Sequence, residues 1–485
     1  MRQFLIIALF LTTIIRGEES NENQQMVTTA HHLATAAATT VLQHGGNAVD
    51  AAIAAMFALP IVEPWASGLG GGGFAIVQMK NDSVPLVLDY REQAPEEANP
   101  ALLYRDSESF RFYAYTGYRS ICVPGMVAGA EFLLNKYGSI NLAQILQPVI
   151  ELARNGFPVS FKFYKKITQY YDLIDMNSAT SSIYYPHYLP IGEGEVLTRE
   201  DLAVLYETII EKGLTDFYHG SIADKIADDF HLNTALLTRN DLSSYSLKTR
   251  KPVNGNYKGY EIISVPPPGY GGAALIELLQ ILEGFDLKEM HFNSGEYVHV
   301  FIEALKHVLN DRETYAADPD FEPVSCENFL TPARAQLVRS KIDTLSASPT
   351  RVSPVASKYE SENASHVSIV DSEGNCVAFT NTINFYFGSG VTHPRYGILF
   401  NNGLFNFSQD SLNINAVEPG KRSVSSMAPT IVMRNDKPLL VLGSSGGART
   451  ISTLANIIIA VTVFEMPLQQ AIDAPRFFYE DGKVQ

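Results

Sequence analysis

The chain has 485 residues, 46% of them hydrophobic and 18% charged. That balance supplies a large core and excludes wholesale disorder. At about 150 residues per domain the length allows roughly three domains, or one large α/β unit with additions. A formal net charge of −16 repels phosphate backbones, so no nucleic-acid partner is expected. Three cysteines are too few for a disulfide scaffold, and the odd number leaves at least one thiol unpaired or paired between chains.

In chain order, Arg2 precedes an apolar run from Phe4 to Ile15, and polar Arg16-Gly17-Glu18-Glu19 follows. The run suits the core of a signal peptide over residues 1–17 and falls short of the ~20 residues that span a bilayer. A secreted, extracellular protein is the expectation. Asn81-Asp-Ser, Asn363-Ala-Ser and Asn406-Phe-Ser are glycosylation sequons, relevant once the chain is secreted. Residues 18 to 28 read as polar and loose. Helices are expected from His32 to His44, stopped by Gly45-Gly46, and from Ala48 to Leu59. The second is so rich in alanine that it must be buried against close neighbours. Strands at Phe74–Met79 and Leu86–Arg91 flank a hairpin signal at Asn81-Asp82. Residues 125 to 345 read as mostly helical, with three- and four-residue apolar spacing in Leu142–Ala153, Arg199–Lys212, Gly272–Glu283 and Glu296–Asp311. A polar, serine- and proline-bearing stretch from Ser346 to Ser365 reads as a surface loop. Strands then follow: His366–Asp371 with Cys376–Asn384, and Pro429–Met433 with Leu439–Gly443. A helix from about Thr450 to Phe464 comes last. Hairpins at both ends with small-residue helices beside them predict antiparallel sheets covered by helices.

Gly443-Ser-Ser445-Gly-Gly447 fits the G-x-S-x-G elbow of esterases, but that machinery needs a histidine downstream. No histidine follows His393. A P-loop also fails, since Ala448 and Arg449 stand where glycine and lysine belong. The segment reads instead as a glycine turn at a helix start, leaving N–H groups for a carboxylate or an oxyanion. There is no HExxH and no paired CxxC, and His31-His32 point different ways on a helix, so no metal and no cofactor is expected.

Several ordered motifs resemble the γ-glutamyltranspeptidases, or glutathione hydrolases, over about residues 26–480. They are Gly45-Gly-Asn-Ala-Val-Asp-Ala-Ala52, Glu63-Pro64 with Gly70–Gly73, Arg91-Glu-Gln-Ala-Pro95 and Val123-Pro-Gly125. Later come His366-Val-Ser-Ile-Val-Asp371, Thr382-Ile-Asn384, Ser425-Ser-Met427 and Gly446-Gly447. The resemblance implies an α+β, N-terminal-nucleophile hydrolase fold, an αββα sandwich of two antiparallel sheets between helical layers. It also implies self-cleavage that frees an N-terminal threonine, which attacks the γ-glutamyl carbonyl. The freed α-amine is its base and paired glycine N–H groups hold the oxyanion. On this resemblance residues 18–363 correspond to a large subunit and 364–485 to a small, C-terminally short one. Arg91 stands at the carboxylate-binding arginine. Thr382 and Asn384 match the residues beside the nucleophile, Ser425 and Ser426 the carboxylate serines, and Gly446-Gly447 the oxyanion glycines.

Three positions depart from the family pattern. Thr-Thr-His or Thr-Ala-His is here Ala364-Ser365-His366, so the nucleophile slot holds Ala364. In Asn401-Asn-Gly-Leu-Phe-Asn-Phe-Ser408, Gly403 replaces the Glu or Gln ligand of the substrate ammonium and Asn406 replaces the aspartate. Without an Oγ at 364 the acyl shift of self-cleavage has no attacking atom. Losing two ammonium ligands, at roughly 1.5–3 kcal/mol per charged hydrogen bond, weakens glutamate binding by orders of magnitude. The expectation is an uncleaved, inactive homologue with a binding or decoy role, taking at most a γ-glutamyl or carboxylate small molecule. A protein partner or an active homologous subunit stays unspecified. Some secreted relatives occur in insect venoms, which fits a role in a secretory fluid. The alternative is an active glutathione hydrolase with Ser365 as a shifted nucleophile, although strand alternation turns Ser365 away from the pocket.

Overall fold

The computed structural model describes residues 25–100, 112–349, 352, 361, 363–480 and 482–485. The expected signal segment lies outside them, as does most of 350–362. Ten strands build the two principal sheets. They are β1 (Met26–Thr28), β2 (Gly72–Gln78), β3 (Leu86–Tyr90), β4 (Lys248–Arg250), β5 (Val253–Tyr257), β6 (Tyr260–Ser264), β7 (Ser365–Val370), β8 (Cys376–Thr382), β9 (Thr430–Arg434) and β10 (Lys437–Leu442). One sheet runs β1-β7-β8-β2-β3-β4 and the other β10-β9-β6-β5, and their strand pairs are antiparallel.

The layers follow from which side chains each face buries. Phe74, Ile76, Val87, Cys376 and Ala378 of the six-stranded sheet pack against Ile263, Val265, Met427 and Ile431 of the other. The outer face of the first sheet, with Ala75, Val77, Leu88, Val367 and Ile369, packs on α1 (His32–Gln43), α2 (Ala48–Val62) and the helices beyond. The outer face of the second packs on the helices Tyr270–Leu282, Gly295–Tyr315 and Arg449–Thr462. This is the helix–sheet–sheet–helix sandwich the motifs imply.

Local chemistry sets the elements. Asn47 caps α2 by accepting the N–H groups of Val49 and Asp50, and the Asp50 carboxylate accepts the Asn47 N–H in return, a reciprocal capping box. Every residue of α2 is buried, as its alanines require. The three hairpins form where turn residues interrupt apolar runs.

The structure corrects several expectations. Residues 26–28 are strand β1, with Met26 opposite Val370; three residues are too few to show a period. The mostly helical middle also carries β4, β5 and β6. β5, Val253-Asn-Gly-Asn-Tyr257, is polar because its alternate residues Asn254 and Asn256 are exposed. A short helix, Leu468–Asp473, and a terminal hairpin, Tyr479–Glu480 with Lys483–Val484, follow the last expected helix. His31 is the cap of α1, and its ring stacks on His32 at 4.5 Å rather than pointing away. Two sequons are closed to a glycan: Asn363 is 5% and Asn406 7% exposed, and Asn363 Nδ2 donates to Trp65 O. Only Asn81 of the three is exposed. No disulfide joins the three cysteines. No described helix is long and apolar enough to cross a membrane.

Candidate active site

Strand β7 decides where the residues around position 364 point. Val367 and Ile369 face the helix layer, so Ser365, of the same parity, faces it too. Its hydroxyl donates to Glu63 Oε2 at 3.0 Å, beyond the end of α2. Burial raises the Glu63 carboxyl, opposed by Lys162 and by Ser365, and Lys162 Nζ stands 3.7 Å from Glu63 Oε1. Ser365 is thus engaged with Glu63, and neither residue lines the cleft described next. His366 has the opposite parity. Its ring bonds to Thr380 Oγ1 (2.9 Å) and Ser368 Oγ (3.0 Å), and burial pushes it down to about 3, so it is neutral and a weak proton acceptor at ordinary pH.

Ala364 opens into a cleft with about 320 Å3 of empty space, part of it open to solvent. Arg91, Thr382, Asn384, Ser425, Gly446 and Gly447 share its walls, and so does Asn406. Residues from six separated places in the chain thus meet at one place. Ser361, Asn363, Met427, Ser444, Ser445 and Thr450 complete the lining. Among the described residues Arg91 is its one charged group; the others are hydroxyls, amides, glycines, an alanine and a methionine.

Arg91 is held rigidly just past β3. Asp89 Oδ1 accepts the Arg91 N–H (3.1 Å), and the Tyr245 hydroxyl donates to the Arg91 carbonyl (2.9 Å). The guanidinium donates to Glu92 Oε2 (2.6 Å) and Ser423 Oγ (3.2 Å). Arg91 and Glu92 are each 2% exposed. Burial raises the Glu92 carboxyl, with Arg91 the chief opposing influence. Behind them Asp89 pairs with Arg250 (2.7 Å) and Arg422 (3.5 Å).

Thr382 Oγ1 donates to Asn363 O (2.7 Å) and accepts the Asn384 N–H (2.8 Å). It therefore ties the chain before Ala364 to the end of β8. Asn384 sits at φ 76°, a left-handed conformation that asparagine tolerates. Ser425 Oγ accepts the Met427 N–H at 3.1 Å. Gly446 and Gly447 lie at φ 131° and 56° between β10 and the helix Arg449–Thr462. Both glycines line the cleft, and a glycine turn at a helix start is the kind of element that anion or oxyanion binding uses.

Two expected residues are not brought there. Ser426 is fully buried and Ser365 faces Glu63; neither lines the cleft. Gly403 does not line it either. A Cβ at Gly403 would stand 2.9 Å from Asn401 Oδ1 and 3.0 Å from Cys122 Sγ, so a longer ligand at that position requires Asn401 and Cys122 to shift. The sequence reading does not single out Ser361 or Thr450 as wall residues, and Met427 enters it only as the last residue of the Ser425-Ser-Met427 motif. Asn363 and Ser445 had been noticed for other reasons. Among the described residues no cluster of His, Cys, Asp and Glu could hold a metal ion.

With this geometry in place, the comparisons with known proteins are direct. The pattern defining the family described as Gamma-glutamyltranspeptidase matches residues 34–482. The chain is 36% identical over 456 residues to the glutathione hydrolase proenzyme of Escherichia coli (strain K12), covering 91% of this chain and 78% of that protein. It is 34% identical over 472 residues to the glutathione hydrolase proenzyme of Bacillus subtilis (strain 168), covering 91% and 80%. Among solved structures, cephalosporin acylase from Bacillus halodurans superposes with a TM-score of 0.85 at 29% identity, over 95% of this chain and 85% of that one. Helicobacter pylori gamma-glutamyltranspeptidase superposes with a TM-score of 0.64 at 35% identity, over 66% and 92%. The chain belongs to the gamma-glutamyltranspeptidase family.

Proposed function

We propose that this is a secreted family member that stays a single chain, does not turn over γ-glutamyl compounds, and binds small carboxylates in the retained cleft. One observation carries the reading. At the cleft wall where the family resemblance places the nucleophile hydroxyl, this chain has the methyl group of Ala364. Self-cleavage and acyl transfer both need an oxygen there to attack a carbonyl carbon. The neighbouring hydroxyl, Ser365, is engaged with Glu63, which weighs against the shifted-nucleophile alternative. The binding half of the site keeps its chemistry: a guanidinium, a serine hydroxyl and a glycine turn facing one space, a set that suits a carboxylate. Residues 18–363 and 364–485 would then be two segments of one uncut chain, and the apolar run Phe4–Ile15 its export signal.

Intact-mass analysis of the secreted protein, run beside a γ-glutamyl-anilide hydrolysis assay, tests this. The expected result is one chain and no turnover above an Arg91→Ala control. A fragment beginning at Ala364 or Ser365, with turnover, overturns the reading. Ala364→Thr restores the attacking oxygen and is expected to yield two fragments.

A further inference from the structure

We propose that Asn363 presents its side-chain oxygen to the cleft as a ligand acceptor, and that the ligand is a carboxylate carrying a hydroxyl group. The proposal rests on the carboxylate reading of the cleft and names the ligand class. An asparagine has four hydrogen-bonding atoms, and the chain uses three of those on Asn363. Its N–H donates to Ser361 Oγ (2.9 Å), its carbonyl accepts from Thr382 Oγ1 (2.7 Å), and its Nδ2 donates to Trp65 O. Its Oδ1 has no partner among the described residues, yet it is not one of the buried polar atoms left unpaired. The atom is therefore reachable from outside, and the space that Asn363 lines is the cleft.

The acceptor is held in place before any ligand arrives. Asn363 is 5% exposed, and the two hydroxyls that grip its backbone, Ser361 and Thr382, also line the cleft. Ser361 Oγ donates to Asn384 O (2.6 Å), and Thr382 Oγ1 accepts the Asn384 N–H (2.8 Å). The segment before Ala364 and the end of β8 thus form one frame. An oxygen fixed in this way loses little freedom when it binds.

Charge decides which donor suits that oxygen. Among the described residues Arg91 is the one charge on the cleft wall, and no carboxylate lines it. An ammonium there would exchange its hydration for neutral acceptors and share the cleft with a cation. A hydroxyl carries no charge, gives Asn363 Oδ1 one proton and needs no counter-ion. A methylene at the same carbon would cover the oxygen without bonding it, which costs binding. The empty space of about 320 Å3, part of it open to solvent, holds at most roughly ten non-hydrogen atoms at the ~30 Å3 of a water molecule. A hydroxyl within a few bonds of the carboxylate fits that limit.

Calorimetric titration of the full secreted chain with 2-hydroxyglutarate, glutarate and glutamate tests the proposal, because the three differ at one carbon, which carries OH, H or an ammonium. The better enantiomer of 2-hydroxyglutarate is expected to bind about three- to tenfold more tightly than glutarate, the worth of one neutral hydrogen bond, and glutamate the most weakly. Asn363→Ala should cut the hydroxyl's advantage to less than twofold. Asn363→Asp, which keeps the side-chain shape and is the safer variant for folding, should shift preference toward glutamate, since a carboxylate pairs with an ammonium. If neither enantiomer binds more tightly than glutarate, or if a folded Asn363→Ala or Asn363→Asp protein keeps the wild-type order and ratios, the hydroxy-acid proposal is overturned and the carboxylate reading stands. Failure of all three acids to bind overturns the carboxylate reading and the proposal with it.

Discussion

The Arg91 end of the cleft and the 401–408 end are held by different means. Arg91 is part of the folded core: its charge is paired with Glu92, and its backbone is fixed by Asp89, itself paired with Arg250 and Arg422. The other end is a loop and a short 3-10 turn, Gly403–Asn406, whose shape depends on a few close contacts. Removing a charge from a buried network is costly to folding. Changing a ligand on a loop costs little beyond its function. On the proposed reading, this difference explains how a chain keeps a carboxylate clamp while losing its ammonium ligands.

The largest expected effect comes from breaking the rigid end. Arg91→Ala leaves Glu92 buried without its cation, so stability should fall by about 3–5 kcal/mol and carboxylate binding should vanish, read by denaturant melts and calorimetry. A fully stable Arg91→Ala protein would mean that the clamp is no part of the core. The loop end is predicted to resist repair. Gly403→Gln places a Cβ against Asn401 and Cys122, and overpacking of this kind costs about 1–3 kcal/mol. Glutamate affinity should not improve in the single variant. Cys122→Ala beside it should recover part of the lost stability, because the Sγ contact is then gone.

A pH titration sharpens the same contrast. The Glu92 carboxyl is raised in the folded protein. Its contribution to stability is therefore complete below the unfolded carboxylate value and is lost as pH rises through the folded one. A ligand carboxylate that shares Arg91 disfavours the charged form of Glu92 further, so binding should take up a proton. Affinity should then rise as pH falls, by at most about tenfold per pH unit for one coupled proton. Calorimetry in buffers of different ionisation enthalpy reads that uptake; proton release on binding would contradict it. The smallest effect is expected outside both ends. Ser365→Ala removes one hydrogen bond to Glu63, worth about 1 kcal/mol of stability, and should change ligand affinity less than twofold. A larger change would place Ser365 in the cleft after all.

Much of this arrangement was legible in the sequence. The alanine-rich buried helix and the three hairpins follow from local patterns, whereas the grouping of Arg91, Thr382, Asn384, Ser425 and the glycine pair was implied by the family resemblance and not by local chemistry. The turn of Ser365 toward the helix layer followed from strand alternation alone. Other features were not legible because they arise between distant segments. β1 exists only because β7 offers an edge, and β5 reads as polar because one side of it faces solvent. The burial of Asn363 and Asn406 depends on Trp65 and the loop around them, which a three-residue sequon does not report. Ser426 differs from Ser425 by one position, and only the folded backbone decides which of them faces the cleft.

The central claim is that the cleft keeps a carboxylate clamp and has lost its grip on an ammonium group. Calorimetric titration of the wild-type chain with glutarate and with glutamate tests it most directly, because the two differ only in the α-ammonium. Glutarate is predicted to bind more tightly, since a bound ammonium would give up its hydration with no carboxylate among the described residues of the cleft. Tighter binding of glutamate would show that another residue holds the ammonium and would contradict the account.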